Sequence, residues 1–172
     1  YESLPKEQRA NLHERFADRV AAESQELQEI VGYHLERAYR YRAELGPVDD
    51  HSAELARMAA NLLESAGLRA LERGDMHATS VLLERAIGLL PPDDERAVAL
   101  LPELAAALSE RGEISQAEDL LQRAVAEATG LTKLKAETRL ALLQTNKGEP
   151  MVTVAATLGD RVRDRRLEPC RR

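Results

Sequence analysis

The chain has 172 residues and a formal net charge of −6, and Ala and Leu together fill 54 positions against nine Val, three Ile, one Phe and no Trp. Ala and Leu favour helices, whereas strands draw on β-branched and aromatic residues, so an all-β or large parallel-sheet fold is excluded. Charged residues make up 31% of the chain, no apolar run nears the ~18 residues a membrane span needs, and one cysteine rules out a disulfide framework or a Cys-rich zinc site. The expectation is a soluble, cytoplasmic, all-α protein.

Turn signals divide the chain into about eight helices. The first opens after Ser3, has Pro5 in its first turn and carries Leu12, Phe16 and Val20 on one stripe. The second runs from about Glu26 to Leu45, with Leu27, Ile30, Val31, His34, Leu35, Ala38 and Tyr41 at helical spacing, and stops at Gly46-Pro47. The third begins at Asp49-Asp50 and shows Leu55, Met58, Leu62, Ala66 and Ala70 before Gly74. The fourth follows from Asp75 with Val81, Leu82, Ala86 and Leu89, ending at Pro91-Pro92. The fifth starts at Asp93-Asp94 and aligns Ala97, Leu101, Leu104 and Leu108 before Gly112. A capping box of Ser115 and Glu118 opens the sixth, which carries Leu121, Ala124 and Ala128 and ends at Gly130. The seventh spans Thr132 to about Lys147, and an eighth starts near Pro150 with Val154, Ala155, Leu158 and Val162.

Short connections force neighbouring helices antiparallel, so the natural unit is a helical hairpin. Four are expected: an N-terminal one at 1–46, then 49–91, 93–130 and a degenerate or capping 132–166, with a tail at 167–172. The second and third share a repeat. Glu72-Arg73-Gly74-Asp75 through Leu82-Leu83-Glu84-Arg85-Ala86-Ile87 corresponds to Glu110-Arg111-Gly112-Glu113 through Leu120-Leu121-Gln122-Arg123-Ala124-Val125, at a constant offset of 38 residues. The approach segments match as well, Pro47-Val48-Asp49-Asp50 against Pro91-Pro92-Asp93-Asp94. Gly74 and Gly112 supply the positive φ that ends one helix a residue or two before the next. Ala86 and Ala124 suit a close helix approach, and the Leu pairs fill the remaining gap. A hairpin of this kind cannot cover its own apolar face, so stacking is what creates the core.

Leu63, Ala66, Gly67, Ala70, Gly74, Leu83, Ala86 and Pro91, followed by Leu101, Leu104, Ala105, Leu108, Gly112, Ala117, Leu121 and Ala124, resemble tetratricopeptide repeats. Thr79 stands at the small position of the second helix, Leu or Ala replaces the consensus aromatics, and the period exceeds the usual 34 residues by about one helical turn. The resemblance implies stacked antiparallel hairpins in a right-handed superhelix. Its concave face would carry Asn61, Glu64, Leu68, Leu71, Glu72, Ala99, Ala106, Ser109 and Glu110, an apolar and acidic lining suited to a basic or apolar peptide, or to another domain of the same protein. Capture of a C-terminal carboxylate is disfavoured there.

The first hairpin carries a second resemblance. Tyr1-Glu2-Ser3-Leu4-Pro5, Arg9, Leu12-His13-Glu14-Arg15 and Ala17, then Ile30-Val31-Gly32-Tyr33-His34-Leu35-Glu36-Arg37-Ala38, look like the segment after the ATPase core of bacterial STAND-type regulators. Those proteins join an AAA-like module to a helical-repeat arm, some with an adenylate-cyclase-like domain and others with a LuxR-type DNA-binding domain. The chain begins at Tyr1 and reads as a piece of something longer, so the resemblance implies a signalling or transcription-regulating arm with no catalysis of its own. A free-standing tetratricopeptide scaffold that bridges partner proteins is the alternative.

Chemistry-bearing patterns are sparse. No P-loop occurs among the nine glycines, and no cofactor is implied. His13, His34, His51 and His77 fall in four different helices or helix starts and read as packed or solvated residues rather than ligands. The Asp-Asp pairs have Ala53 and Ala97 where a third acid would complete a metal motif, and both precede helices, so they read as caps. Cys170 lacks a histidine nearby in sequence. The acidic balance disfavours nucleic acid as a partner, and the six arginines between Asp160 and Arg172 alternate with acids, as on a solvated helix.

Overall fold

The structure is a computed structural model, described here for residues 4–23, 27–91 and 94–146. Seven helices account for nearly all of the described chain: α1 (Lys6–Glu23), α2 (Gln28–Ala43), α3 (Asp50–Glu72), α4 (Met76–Ile87), α5 (Glu95–Glu110), α6 (Ile114–Glu127) and α7 (Gly130–Asn146). No strand occurs among the described residues. The eighth helix expected near Pro150, the basic tail and Cys170 lie outside them.

Packing follows chain order. Each helix lies against the next, and α5 also touches α7. The core reflects this, forming two linked apolar clusters. One joins α1 to α4 through Ala17, Val31, Leu35, Ala59, Leu63 and Ala86, and the other joins α4 to α7 through Leu83, Leu101, Leu104, Leu108, Leu121 and Ala136. Ile87 packs against both. Small residues bring the helices close. An added Cβ at Gly67 would stand 2.8 Å from Leu83 Cδ2, and one at Gly32 would stand 3.1 Å from Leu62 Cβ.

The two tight turns are built alike. Gly74 has φ +75° and Gly112 φ +83°. In the first, the Gly74 N–H donates to Leu71 O and the Asp75 N–H to Ala70 O, both at 2.9 Å. In the second, the Gly112 N–H donates to Ser109 O at 3.0 Å and the Glu113 N–H to Leu108 O at 2.9 Å. This paired closure of a helix end needs a left-handed residue at its centre, which glycine adopts without a Cβ clash. Every atom pair in the second turn is the first shifted by 38 residues. The burial pattern shifts with it: Leu63 and Leu101, Leu83 and Leu121, and Ala86 and Ala124 are all at most 1% exposed.

The acid after each glycine behaves differently. Asp75 caps α4 by accepting from the Ala78 N–H at 2.9 Å. Glu113 makes no such cap, and its longer carboxylate pairs with Arg111 at 2.8 Å instead. The expected capping box at Ser115 is absent as well, because the helix restarts at Ile114 directly after the glycine turn and leaves Ser115 within α6, exposed. Asp49 and Asp94 cap α3 and α5, accepting from the Ser52 and Arg96 N–H groups at 2.8 Å. These caps are 45 residues apart while the turns are 38 apart. The seven-residue difference is the difference between α3 with 23 residues and α5 with 16. Gly130 opens α7 with φ +55° rather than ending α6, which stops at Glu127 before an extended Ala128.

The inward face of α1 also departs from expectation. Ala10, His13, Ala17 and Val20 are buried, while Leu12 and Phe16 are each 46% exposed. On α2, Leu27 and Ile30 face outward, as do Met58 on α3 and Val81 on α4. The helices that approach α1 and α3 do so over alanines and glycines, which leaves the larger apolar side chains at the margins of each contact.

Polar ties join successive hairpins. Glu36 of α2, 4% exposed, receives the Arg40 Nε–H at 2.8 Å and the Arg85 Nε–H of α4 at 2.7 Å. Glu14 of α1 accepts from Arg42 Nε at 2.5 Å and lies 3.1 Å from His51 Nε2 at the start of α3. Glu103 of α5 accepts from Arg139 at 2.6 Å and Lys135 at 3.2 Å, both on α7. Arg139 also donates to the carbonyl of Pro102, the buried proline inside α5.

Candidate functional site

The nine residues expected on a concave face divide into two groups. Asn61 and Glu64 are tied by one arginine from the following hairpin. Arg96 Nη2 donates to Asn61 Oδ1 at 2.8 Å and to the Glu64 carboxylate. Their polar atoms thus serve the junction between α3 and α5. Leu68 is half-buried and packs against the second apolar cluster, Leu71 is half-buried, and Glu72 is exposed at the end of α3.

Ala106, Ser109 and Glu110 come together in a groove of about 550 Å³. Its walls are the C-terminal halves of α5 and α7, with Leu142, Leu143 and Arg139 on the α7 side. Met76 and Ile114, the first residues of α4 and α6, close one end, and Leu121 forms the floor. Met76 and Ile114 are themselves repeat equivalents, 38 residues apart. The lining is mostly aliphatic, and Glu110 lies exposed at the rim. Arg139 is engaged with Glu103 and the Pro102 carbonyl, so its charge is compensated within the wall. Ala99 falls in a different groove of about 470 Å³ with Glu95, Arg96, Val98, Thr129 and Thr132, where α5 begins and α6 passes into α7.

Sequence reading missed Arg96, Arg139, Met76, Ile114, Leu142 and Leu143. The spacing of Ile114 from Met76 was a usable signal, since both stand two residues after the turn glycine. The α7 residues had none, because their role depends on how far α7 diverges from α5.

The histidines are not four isolated residues. His13 Nδ1 and His34 Nδ1 are 2.6 Å apart across the α1–α2 contact, with ring centroids at 4.8 Å. Phe16 covers His34 at 4.3 Å, and Tyr33 and Tyr41 stand 6.4 and 5.9 Å from His13. Burial, then the neighbouring His34 and Arg37 charges, pull the His13 pKa down to about 4. Burial lowers His34 as well. Sequence spacing missed the pairing, since the residues are 21 positions apart and on different helices. The two facing nitrogens can hold one proton between them, which leaves this pair a packed, neutral contact at pH 7. His51 meets Glu14, and His77 is exposed.

Among the described residues no group of three His, Cys, Asp or Glu is placed to hold a metal ion, and no helix is long and apolar enough to cross a membrane. Asp49 and Asp94 spend their carboxylates on helix caps. Compared with known proteins, the chain matches no family model and no curated sequence.

Proposed function

We propose that this chain is a non-catalytic protein-interaction arm of tetratricopeptide-like helical hairpins, serving a multidomain bacterial signalling or transcription-regulating ATPase of the STAND type. The observation that carries the interaction reading is the repeated turn. Two helix ends 38 residues apart close with the same hydrogen bonds and bury the same positions, and each hairpin completes its core only against its neighbours. The membership in a STAND-type protein rests on the resemblance of residues 1–38 alone.

The surface offered to a partner is the α5–α7 groove. Its aliphatic lining matches leucine-sized side chains, and Glu110 at the rim favours a cation beside them. The ligand it fits is an apolar segment carrying a basic residue, from a partner protein or from another domain of the parent chain.

The test is an NMR titration of the 172-residue chain with a helical peptide of Leu and Lys at amphipathic spacing. Amide shifts clustered on Ala106, Ser109, Glu110 and Leu142, abolished by Ala106→Arg, are expected. Shifts spread over the whole surface, or indifference to Ala106→Arg, would remove the groove from the reading. ATP hydrolysis or nucleotide cyclisation by the purified chain would overturn the non-catalytic assignment.

A further inference from the structure

All five aromatic residues of the chain, Tyr1, Phe16, Tyr33, Tyr39 and Tyr41, lie before position 42. The repeats thus build their core without aromatics, while the first hairpin displays two of them. Phe16 and Tyr33 are 46% and 44% exposed, and Leu12 and Ile30 are equally open. The rings are continuous, with His34 lying 4.3 Å from Phe16 and 5.2 Å from Tyr33 between centroids. A single exposed apolar side chain is ordinary, but a ring-centred patch spanning two helices marks an interaction surface.

The charge around the patch is one-signed. At about 100° per residue, Arg9, Arg15 and Arg19 fall within roughly 60° of Leu12 around α1. Glu7, Glu14 and Asp18 fall on the other half of that helix, and Glu14 is occupied by Arg42 and His51. On α2, Arg37 follows Ile30 and Tyr33 at helical spacing. From α4, Arg85 stands 5.5 Å from the centre of the Tyr33 ring while it also holds Glu36. An arginine-framed aromatic surface thus sits on a chain whose net charge is −6.

We infer that this Phe16–Tyr33 surface binds an acidic amphipathic helix of a partner protein. The apolar stripe of such a helix would cover Leu12, Phe16, Ile30 and Tyr33, and its carboxylates would face the arginines. Aromatic rings and arginines are the residue types that concentrate binding energy at interfaces. The surface lies on α1 and α2, away from the α5–α7 groove, and the inference holds whether or not that groove binds a peptide.

The test uses a short fluorescent helical peptide of Leu and Glu at amphipathic spacing, titrated with the 172-residue chain and followed by anisotropy. The Leu-Lys peptide and phosphatidylserine-rich vesicles are run in parallel. Saturable binding of the acidic peptide, weakened by added salt, is expected. Phe16→Ser, and separately the pair Arg15→Glu and Arg19→Glu, should each weaken it about tenfold or more, with helix content unchanged by circular dichroism. Ala106→Arg in the other groove should leave it unaltered. Equal affinity for the acidic and Lys peptides would overturn the inference. Indifference to both sets of substitutions, or binding confined to the vesicles, would overturn it too.

Discussion

His13 and His34 meet nitrogen to nitrogen, 2.6 Å apart, at the contact between α1 and α2. A proton shared between two Nδ1 atoms satisfies both rings while they are neutral together. Adding charge there meets a desolvated site with Arg37 beside it, which is why the His13 pKa lies at about 4. In the unfolded chain the same residue takes its proton near 6.5. The unfolded state therefore binds more protons between those two values. The stability contributed by the neutral pair is complete above about pH 6.5 and is lost as pH falls toward 4.

Urea unfolding at pH 7.5 and at pH 5 should show the chain weakening by about 1 kcal/mol or more at the lower value. The variant His13→Asn should lose most of that difference. The carboxylates held below their ordinary range, Glu44, Glu54 and Asp49, lose their contribution only at lower pH. That separates the two effects. An NMR titration placing His13 near 6.5 would contradict this account.

Gly67 and Leu83 set the spacing of α3 and α4. A Cβ at Gly67 would meet Leu83 Cδ2 at 2.8 Å and Cγ at 3.0 Å, and Leu83 is fully buried with no room to yield. Alanine normally gains about 1 kcal/mol over glycine inside a helix. Here the overlap outweighs that gain, and Gly67→Ala should destabilise by about 1–3 kcal/mol. In a Leu83→Ala background the clash partner is gone, so the same substitution should become neutral or stabilising. A double-mutant cycle by chemical denaturation measures this, and an additive result would place the constraint elsewhere.

How far the sequence carried depends on which interactions are local. The turns at Gly74 and Gly112 were legible because one residue type solves a backbone problem within five positions. The buried Leu83–Ala86 and Leu121–Ala124 pairs were legible because the repeat shows them twice. The inward face of α1 was misread, since Leu12, Phe16 and Val20 make as good a stripe as Ala10, His13, Ala17 and Val20. Only the alanine-lined surface of α2 decides between them. Glu36 on α2, Arg96 across α3 and α5, and the α5–α7 groove join residues 30 or more positions apart. Such pairings follow from how hairpins are set against one another, which no local spacing encodes.

Glu36 is the buried charge at the junction of the first two hairpins. Its carboxylate holds Arg85 from α4 and Arg40 from its own helix. Arg85→Met removes one cation and leaves the acid with a half-exposed partner. Glu36→Gln leaves Arg85 without its counter-ion under the Tyr33 ring. Either single change should cost about 2–4 kcal/mol, because an uncompensated charge stays in a dry site. The double variant Glu36→Leu with Arg85→Met should recover most of the loss, as an apolar pair carries no desolvation penalty. Thermal melts of the three variants decide the point, and a double variant as unstable as the worse single one would show that shape rather than charge dominates there.

The turn glycines give the most direct test of the repeat. Gly74 and Gly112 hold φ values of +75° and +83°, and an added Cβ at either meets nothing within 4 Å. Space is therefore not the constraint, and only the left-handed backbone opposes substitution. For an L-residue that conformation costs about 1–2 kcal/mol. Gly74→Ala and Gly112→Ala should each lower stability by that amount, and by nearly equal amounts, since the two turns close with matching hydrogen bonds. Asparagine tolerates this region better than alanine, so Gly74→Asn and Gly112→Asn should both be milder. Urea midpoints for the four variants make the comparison. If alanine were harmless at one position and costly at the other, the two hairpins would not be energetic copies, and the interaction reading would lose its structural basis.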